Sequence, residues 1–118
     1  MAEVSAMGKA RRAARAAVDR KAMDVVILDV QGLSSVADYF LVCSGRSTPH
    51  VESITEAIRD ELKADGARPR HAEGAAASGW VLLDYGDVLM HVFLEETRAY
   101  YSLERLWGDA PLVEMDGA

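Results

Sequence analysis

The sequence predicts an α/β fold in which a mixed four- to five-stranded sheet is flanked by helices. Aliphatic and β-branched runs without a helical period alternate with segments whose apolar residues recur every three or four positions. Interleaved strands and helices favour one sheet with helices packed on it. The length of 118 residues suits a single domain. We therefore divide residues 1–118 into an N-terminal helix over 1–21, a core over 22–111 and a flexible tail over 112–118.

Three segments have the pattern of helices. Residues 4–21 carry alanines at helical spacing, so this helix is expected to pack closely while burying little area. Ser47-Thr48-Pro49 predicts the start of the second helix, with Thr48 capping its free amides and Pro49 at the first helical position. Gly66 is a natural end for it. The third helix is predicted over residues 95–107.

Four runs rich in β-branched and aliphatic residues predict strands over 24–30, 39–44, 80–85 and 88–94. Residues 68–72 are assigned to a short edge strand, and residues 73–79 to a loop of small residues. The first two strands are too close together for a helical crossover, so they are predicted to be antiparallel. Gly86-Asp87, between the last two strands, predicts a hairpin.

Alternation along the last two strands predicts which side chains share a face, since successive side chains point to opposite sides. In the first of these strands, one face has Trp80, Leu82 and Asp84, and the other has Val81, Leu83 and Tyr85. In the second, one face has Leu89, His91 and Phe93, and the other has Val88, Met90 and Val92. Trp and Tyr are enriched at interfaces. Trp80 and Tyr85, at opposite ends of a strand, are therefore compatible with either an interface or a core.

Charge is distributed unevenly around the net value of −6. Residues 1–21 carry six basic and two acidic side chains, whereas residues 22–118 carry seven basic and seventeen acidic ones. An acidic body is a poor partner for phosphate backbones and a good one for a basic protein. The basic N-terminal helix either touches RNA or is a solvated helix face, and the solvated face is the commoner case. We predict little direct RNA contact.

The predicted compartment is the cytoplasm. No apolar run approaches the roughly 20 residues that cross a bilayer, so no membrane association is expected. Cys43 is the only cysteine, which is compatible with a reducing compartment. It lies within a strand and is expected to be a buried, unreactive core residue.

No catalytic or metal-binding constellation is apparent, and we predict no catalytic residue, metal or cofactor. Ser44-Gly45-Arg46-Ser47 follows a strand and opens a helix, as in nucleotidyltransferases. Those enzymes need two carboxylates, one residue apart on a strand, to hold magnesium. The nearest acids here, Asp84 and Asp87, are three residues apart across a turn. A nucleotidyltransferase-like enzyme is therefore the alternative function.

Four segments within residues 22–111 resemble, in order, the ribosomal silencing factor (Iojap-like) family. They are DVVILDVQGLSSVADYFLVCSG, RSTPHV, WVLLDYGDVLMHVF and YYSLERLWGDAP. The resemblance implies a nucleotidyltransferase-like fold without the catalytic acids, and a regulator rather than an enzyme. It implies binding to the large ribosomal subunit through a ribosomal protein of the L-fourteen type. It further implies that joining of the small subunit is blocked when nutrients are limiting, and that the free protein is a homodimer.

We select five residues for the partner surface, because they are of types common at interfaces and lie within the matching segments. They are Trp80, Tyr85, Met90, His91 and Tyr101.

Overall fold

The computed structural model describes residues 5–33, 35, 37–101 and 112–113. The α-helices are α1 (Ala6–Asp19), α2 (Thr48–Ala64) and α3 (Glu95–Tyr101). The strands are β1 (Met23–Asp29), β2 (Tyr39–Gly45), β3 (His71–Ala75), β4 (Trp80–Asp84), β5 (Val88–Leu94) and β6 (Leu112–Val113). They form one sheet in the order β3-β4-β5-β2-β1-β6.

The sheet is mixed, because β2 and β5 run parallel while every other neighbouring pair is antiparallel. The predicted α/β class is therefore confirmed. So are the antiparallel pairing of the first two strands and the hairpin between β4 and β5. Within the described residues, no helix is long and apolar enough to cross a membrane.

The first two helices pack on one face of the sheet, which we call the helix face. Alanines at five positions of α1 are at most 7 % exposed, so this helix lies close to its neighbours, as its small side chains predict. The α2 helix buries a stripe of larger residues against the same face, namely Val51, Ile54, Ile58 and Leu62. Strand residues such as Leu41 and Leu83 complete this core.

The opposite side of the sheet, which we call the second face, carries a smaller apolar cluster. Leu28, Phe40, Val42 and Phe93 are buried there, and Trp80 and Leu89 are partly buried against them. The sheet is therefore apolar on both sides.

The structure corrects four predicted details. Ser47, not Thr48, caps α2, since its hydroxyl accepts a hydrogen bond from the His50 amide at 3.3 Å. The edge strand lies at 71–75 instead of 68–72, and residues 76–78 form a 3₁₀ turn where a loop was expected. Residues 112–113 pair with β1, whereas residues 112–118 were predicted to form a flexible tail. The part of the predicted third helix beyond Tyr101 lies outside the described residues.

A buried arginine attaches α3 to the sheet. Arg98 is 9 % exposed, and its Nη1 donates to the Asp24 carbonyl at 2.6 Å and to Ser44 Oγ at 3.0 Å. Asp24 has a positive φ of 50° where the register of β1 shifts. A carbonyl in such an irregular strand segment lacks a regular ladder partner, and Arg98 supplies one.

Candidate functional site

Three partly buried apolar side chains form a strip on the second face along β4 and β5. Trp80 and Leu82 lie two residues apart on β4, and Leu89 lies on β5 opposite Asp84. Phe93 is the other apolar residue that β4 and β5 contribute to this face, and it is completely buried. The other three side chains remain partly exposed to solvent. We call Trp80, Leu82 and Leu89 the tryptophan strip.

The indole of Trp80 is held in one orientation by its cross-strand neighbours. Its Nε1 donates to His91 Nδ1 at 3.3 Å, and its ring lies 4.9 Å from that of Phe93 at an interplanar angle of 30°. His91 in turn meets the ring of Phe40 edge-on at a centroid distance of 5.0 Å. This arrangement leaves the indole little rotational freedom before any partner arrives.

His91 is only 5 % exposed, so it lies beneath the surface and contacts the indole of Trp80 from inside the protein. Burial disfavours the charged imidazole and lowers its pKa from 6.5 to about 4. The ring is therefore neutral at physiological pH, with Nδ1 accepting from Trp80 and Nε2 carrying the proton. Nε2 has no hydrogen-bond partner within the described residues. His91 acts on the surface mainly by orienting Trp80.

The five residues selected from the sequence do not share one surface. Tyr85 is 5 % exposed and Met90 is fully buried, and both belong to the core of the helix face. The expectation that they are accessible is therefore wrong, because strand alternation points both toward the helices and away from Trp80. Burial also raises the pKa of the Tyr85 phenol. The side chain of Tyr101 lies outside the described residues.

A pocket of about 320 Å³ adjoins the tryptophan strip. Its lining residues are Glu73, Gly74, Ser78, Trp80 and Leu82. Sequence reasoning missed Glu73 because residues 73–79 were assigned to a loop, whereas Glu73 lies in β3 opposite Leu82. The pairing of β3 with β4 brings this carboxylate beside the strip.

Several basic residues of α1 are engaged within the protein. Lys9 pairs with Asp87 at 2.8 Å, and Arg12 pairs with Glu61 at 2.6 Å and with Asp65 at 2.7 Å. These contacts favour the interpretation of α1 as a solvated helix face whose charges are matched by acidic neighbours.

The two acids weighed for magnesium binding both have structural contacts. Asp84 accepts a hydrogen bond from the Gly86 amide at 2.7 Å, and Asp87 pairs with Lys9. Over the described ranges, no group of three or more His, Cys, Asp or Glu residues is placed to hold a metal ion. Cys43 is fully buried, and burial raises its thiol pKa to about 12.

Comparison with known proteins agrees with the resemblance noted in the sequence. The model of the family described as "Ribosomal silencing factor during starvation" matches residues 3–118. A Bacillus subtilis protein named ribosomal silencing factor RsfS is 47 % identical over 104 residues, covering 88 % of each chain. The chloroplastic protein Iojap of Zea mays is 31 % identical over 102 residues, which are 86 % of this chain and 44 % of that one.

Two crystal structures share the fold. A Chromobacterium violaceum protein superposes with a TM-score of 0.84 at 31 % identity, covering 97 % of this chain and 94 % of that one. A Bacillus halodurans protein gives a TM-score of 0.76 at 40 % identity, covering 88 % of this chain and 94 % of that one. Sequence and structure thus agree along nearly the whole length, and the chain belongs to the ribosomal silencing factor family.

Proposed function

We propose that this protein represses translation under nutrient limitation by binding the large ribosomal subunit and sterically blocking the small one. Its contact on the large subunit is the L-fourteen-type ribosomal protein, as the family resemblance implies. The relatives named ribosomal silencing factor support the regulatory role. Steric exclusion needs a stable contact at the right place and no chemical step.

The observation that carries the proposal is the tryptophan strip with its fixed indole. Aromatic side chains that are ordered before binding lose little conformational entropy on association, and they are common among interface hot spots. Trp80 is the main contact of the proposed surface, and Leu82 and Leu89 extend that surface along β4 and β5. His91 is a positioning residue behind it, and Tyr101 remains a proposed contact.

Charge supports a basic partner. Residues 22–118 carry ten more acidic than basic side chains. Such a surface accelerates encounter with a basic ribosomal protein, and the acceleration weakens as salt rises.

We also propose that the free protein is a cytoplasmic homodimer, which light scattering across a dilution series would test.

Sedimentation through a sucrose gradient with separated ribosomal subunits tests the proposal. The wild-type protein should travel with the large subunit and lower the yield of joined subunits when the small one is added. Trp80→Ala should lose most of this binding. Val18→Ala is the matched control, because Val18 is an apolar side chain that is 48 % exposed and lies on α1, which packs on the helix face. Equal sedimentation of the wild type with both subunits, or with neither, contradicts the proposal.

A further inference from the structure

We propose that the pocket beside Trp80 receives an arginine side chain of the ribosomal partner, with Glu73 as its ion-pair acceptor and the indole as its stacking surface. This inference rests on the proposed function and names the chemistry that the surface recognises. Neither His91 nor Phe93 lines the pocket. It therefore opens on a different part of the indole from the one that these two rings hold.

The register of β3 and β4 places Glu73 and Trp80 close together on one face of the sheet. Glu73 lies opposite Leu82, and Trp80 lies two residues further along β4, opposite Ala75. Glu73 and Trp80 are thus diagonal cross-strand neighbours, a relation in which Cα atoms typically lie roughly 7–8 Å apart. A cation stacked on an indole lies within about 6 Å of the ring centroid. A guanidinium inserted between the two side chains therefore reaches both.

The backbone of the pocket is fixed in place. Gly74 has a φ of +80°, and a Cβ on it would collide with the carbonyl oxygen of Trp80, so only glycine allows this approach of β3 to β4. Ser78 Oγ donates to the Ala75 carbonyl at 2.7 Å and accepts from the Ala75 amide at 3.3 Å. With Ser78 engaged in its own turn, Glu73 is the charged acceptor among the lining residues.

The residues that line the pocket favour a planar cation as the bound group. Among the described residues, one acid, one aromatic ring and one leucine line the pocket, and no basic residue does. A guanidinium stacks on aromatic faces, is more weakly hydrated than an ammonium and pairs with carboxylates through a rigid fork. Glu73 meets His71 Nε2 at 2.6 Å, but both side chains are about 60 % exposed. Such an exposed contact is weak enough to be exchanged for a guanidinium.

Binding of the full-length protein to the isolated L-fourteen-type protein, measured by titration calorimetry, tests the inference. Glu73→Gln should weaken binding about tenfold, because the guanidinium loses its charged partner. Glu56→Gln is the matched control, since it removes the same charge from an exposed residue of α2 on the helix face, and it should change affinity less than about twofold. The affinity of Glu73→Gln should also fall less steeply with salt. Equal affinities and salt dependences for the two variants overturn the inference.

A double-mutant cycle separates this site from a general charge effect. If Glu73 and Trp80 hold one guanidinium, Glu73→Gln should cost much less affinity in a Trp80→Ala background than in the wild type. Full additivity of the two substitutions contradicts a shared ligand. Failure of the wild type to bind would instead reject the proposed function itself, so the two failures are distinguishable. Equal melting temperatures for wild type and Glu73→Gln would confirm that the fold is intact.

Discussion

The buried imidazole of His91 should make stability depend on pH in a direction that the structure fixes. Its folded pKa of about 4 lies below the ordinary 6.5, so the unfolded chain binds a proton in a range where the folded protein does not. Above pH 6.5 this group adds no penalty. As pH falls from 6.5 to 4, the folded state loses stability relative to the unfolded one. The sign follows from burial of a neutral base.

The magnitude follows from the size of the shift. At 1.36 kcal/mol per pKa unit, the full penalty is on the order of 3 kcal/mol, of which roughly 2 kcal/mol is present at pH 5. His91→Asn removes the titration, and its amide oxygen can replace Nδ1 as an acceptor for Trp80. The variant should be less stable than wild type at pH 7.5, because it loses ring contacts with Phe40 and Phe93.

Urea unfolding at several pH values between 7.5 and 4.5 measures the effect. The free energy of unfolding should decline more steeply for wild type than for His91→Asn, with a difference between the two slopes centred near pH 5. The carboxylates titrate in both proteins, so their contribution cancels in the comparison. Parallel curves over this range would refute the assignment of His91 as a buried neutral base that orients Trp80.

Three further results are expected. Met90→Ala should lower the free energy of unfolding by about 2–5 kcal/mol, because it leaves a cavity in the core. The fraction still folded should bind the large subunit like wild type. A loss of binding without destabilisation would restore Met90 to the partner surface. Arg98→Met should cost roughly 1–3 kcal/mol, because the Asp24 carbonyl and Ser44 hydroxyl lose their donor, and an unchanged urea midpoint would contradict that anchoring role. Cys43 should react with a thiol reagent only at the rate of unfolding, since its pKa of about 12 and complete burial both oppose attack; rapid labelling of the native protein would disprove this.

The elements with strong local patterns were predictable from the sequence. The hairpin of β4 and β5 follows from two apolar runs around Gly86-Asp87, and α2 follows from a regular apolar stripe with start and stop signals. The start of α2 was placed one residue late. Ser47 and Thr48 have equivalent hydroxyls, and only the backbone conformation of Ser47, which is extended, decides which one caps.

Elements that depend on pairing were not predictable to the same degree. The β3 sequence HAEGA has low intrinsic strand preference, and it becomes a strand through its ladder with β4. The two residues of β6 carry too little pattern to distinguish them from a tail, and their pairing with β1 is a long-range contact.

Only part of the candidate site could be predicted from the sequence. Alternation correctly separated Trp80 from Tyr85 within β4, and His91 from Met90 within β5. That Trp80 and His91 share the second face follows from the register between the two strands. Selecting residues from both faces for one partner surface set this alternation aside in favour of residue type. Which face the helices cover is a property of tertiary packing, and no local pattern within β4 or β5 contains that information.

The same packing explains why Trp80 has a fixed position on the proposed partner surface. Trp80 lies at the start of β4, directly after Gly79, whose φ is +88° and whose missing Cβ leaves room for Thr97 Oγ1 of α3. The Gly79 carbonyl accepts from the Leu94 amide at 2.8 Å, so the chain is bound to β5 immediately before the indole. Backbone, cross-strand rings and the His91 hydrogen bond therefore fix Trp80 before binding. A partner then meets a surface that needs little further ordering, which leaves more of the contact energy for affinity.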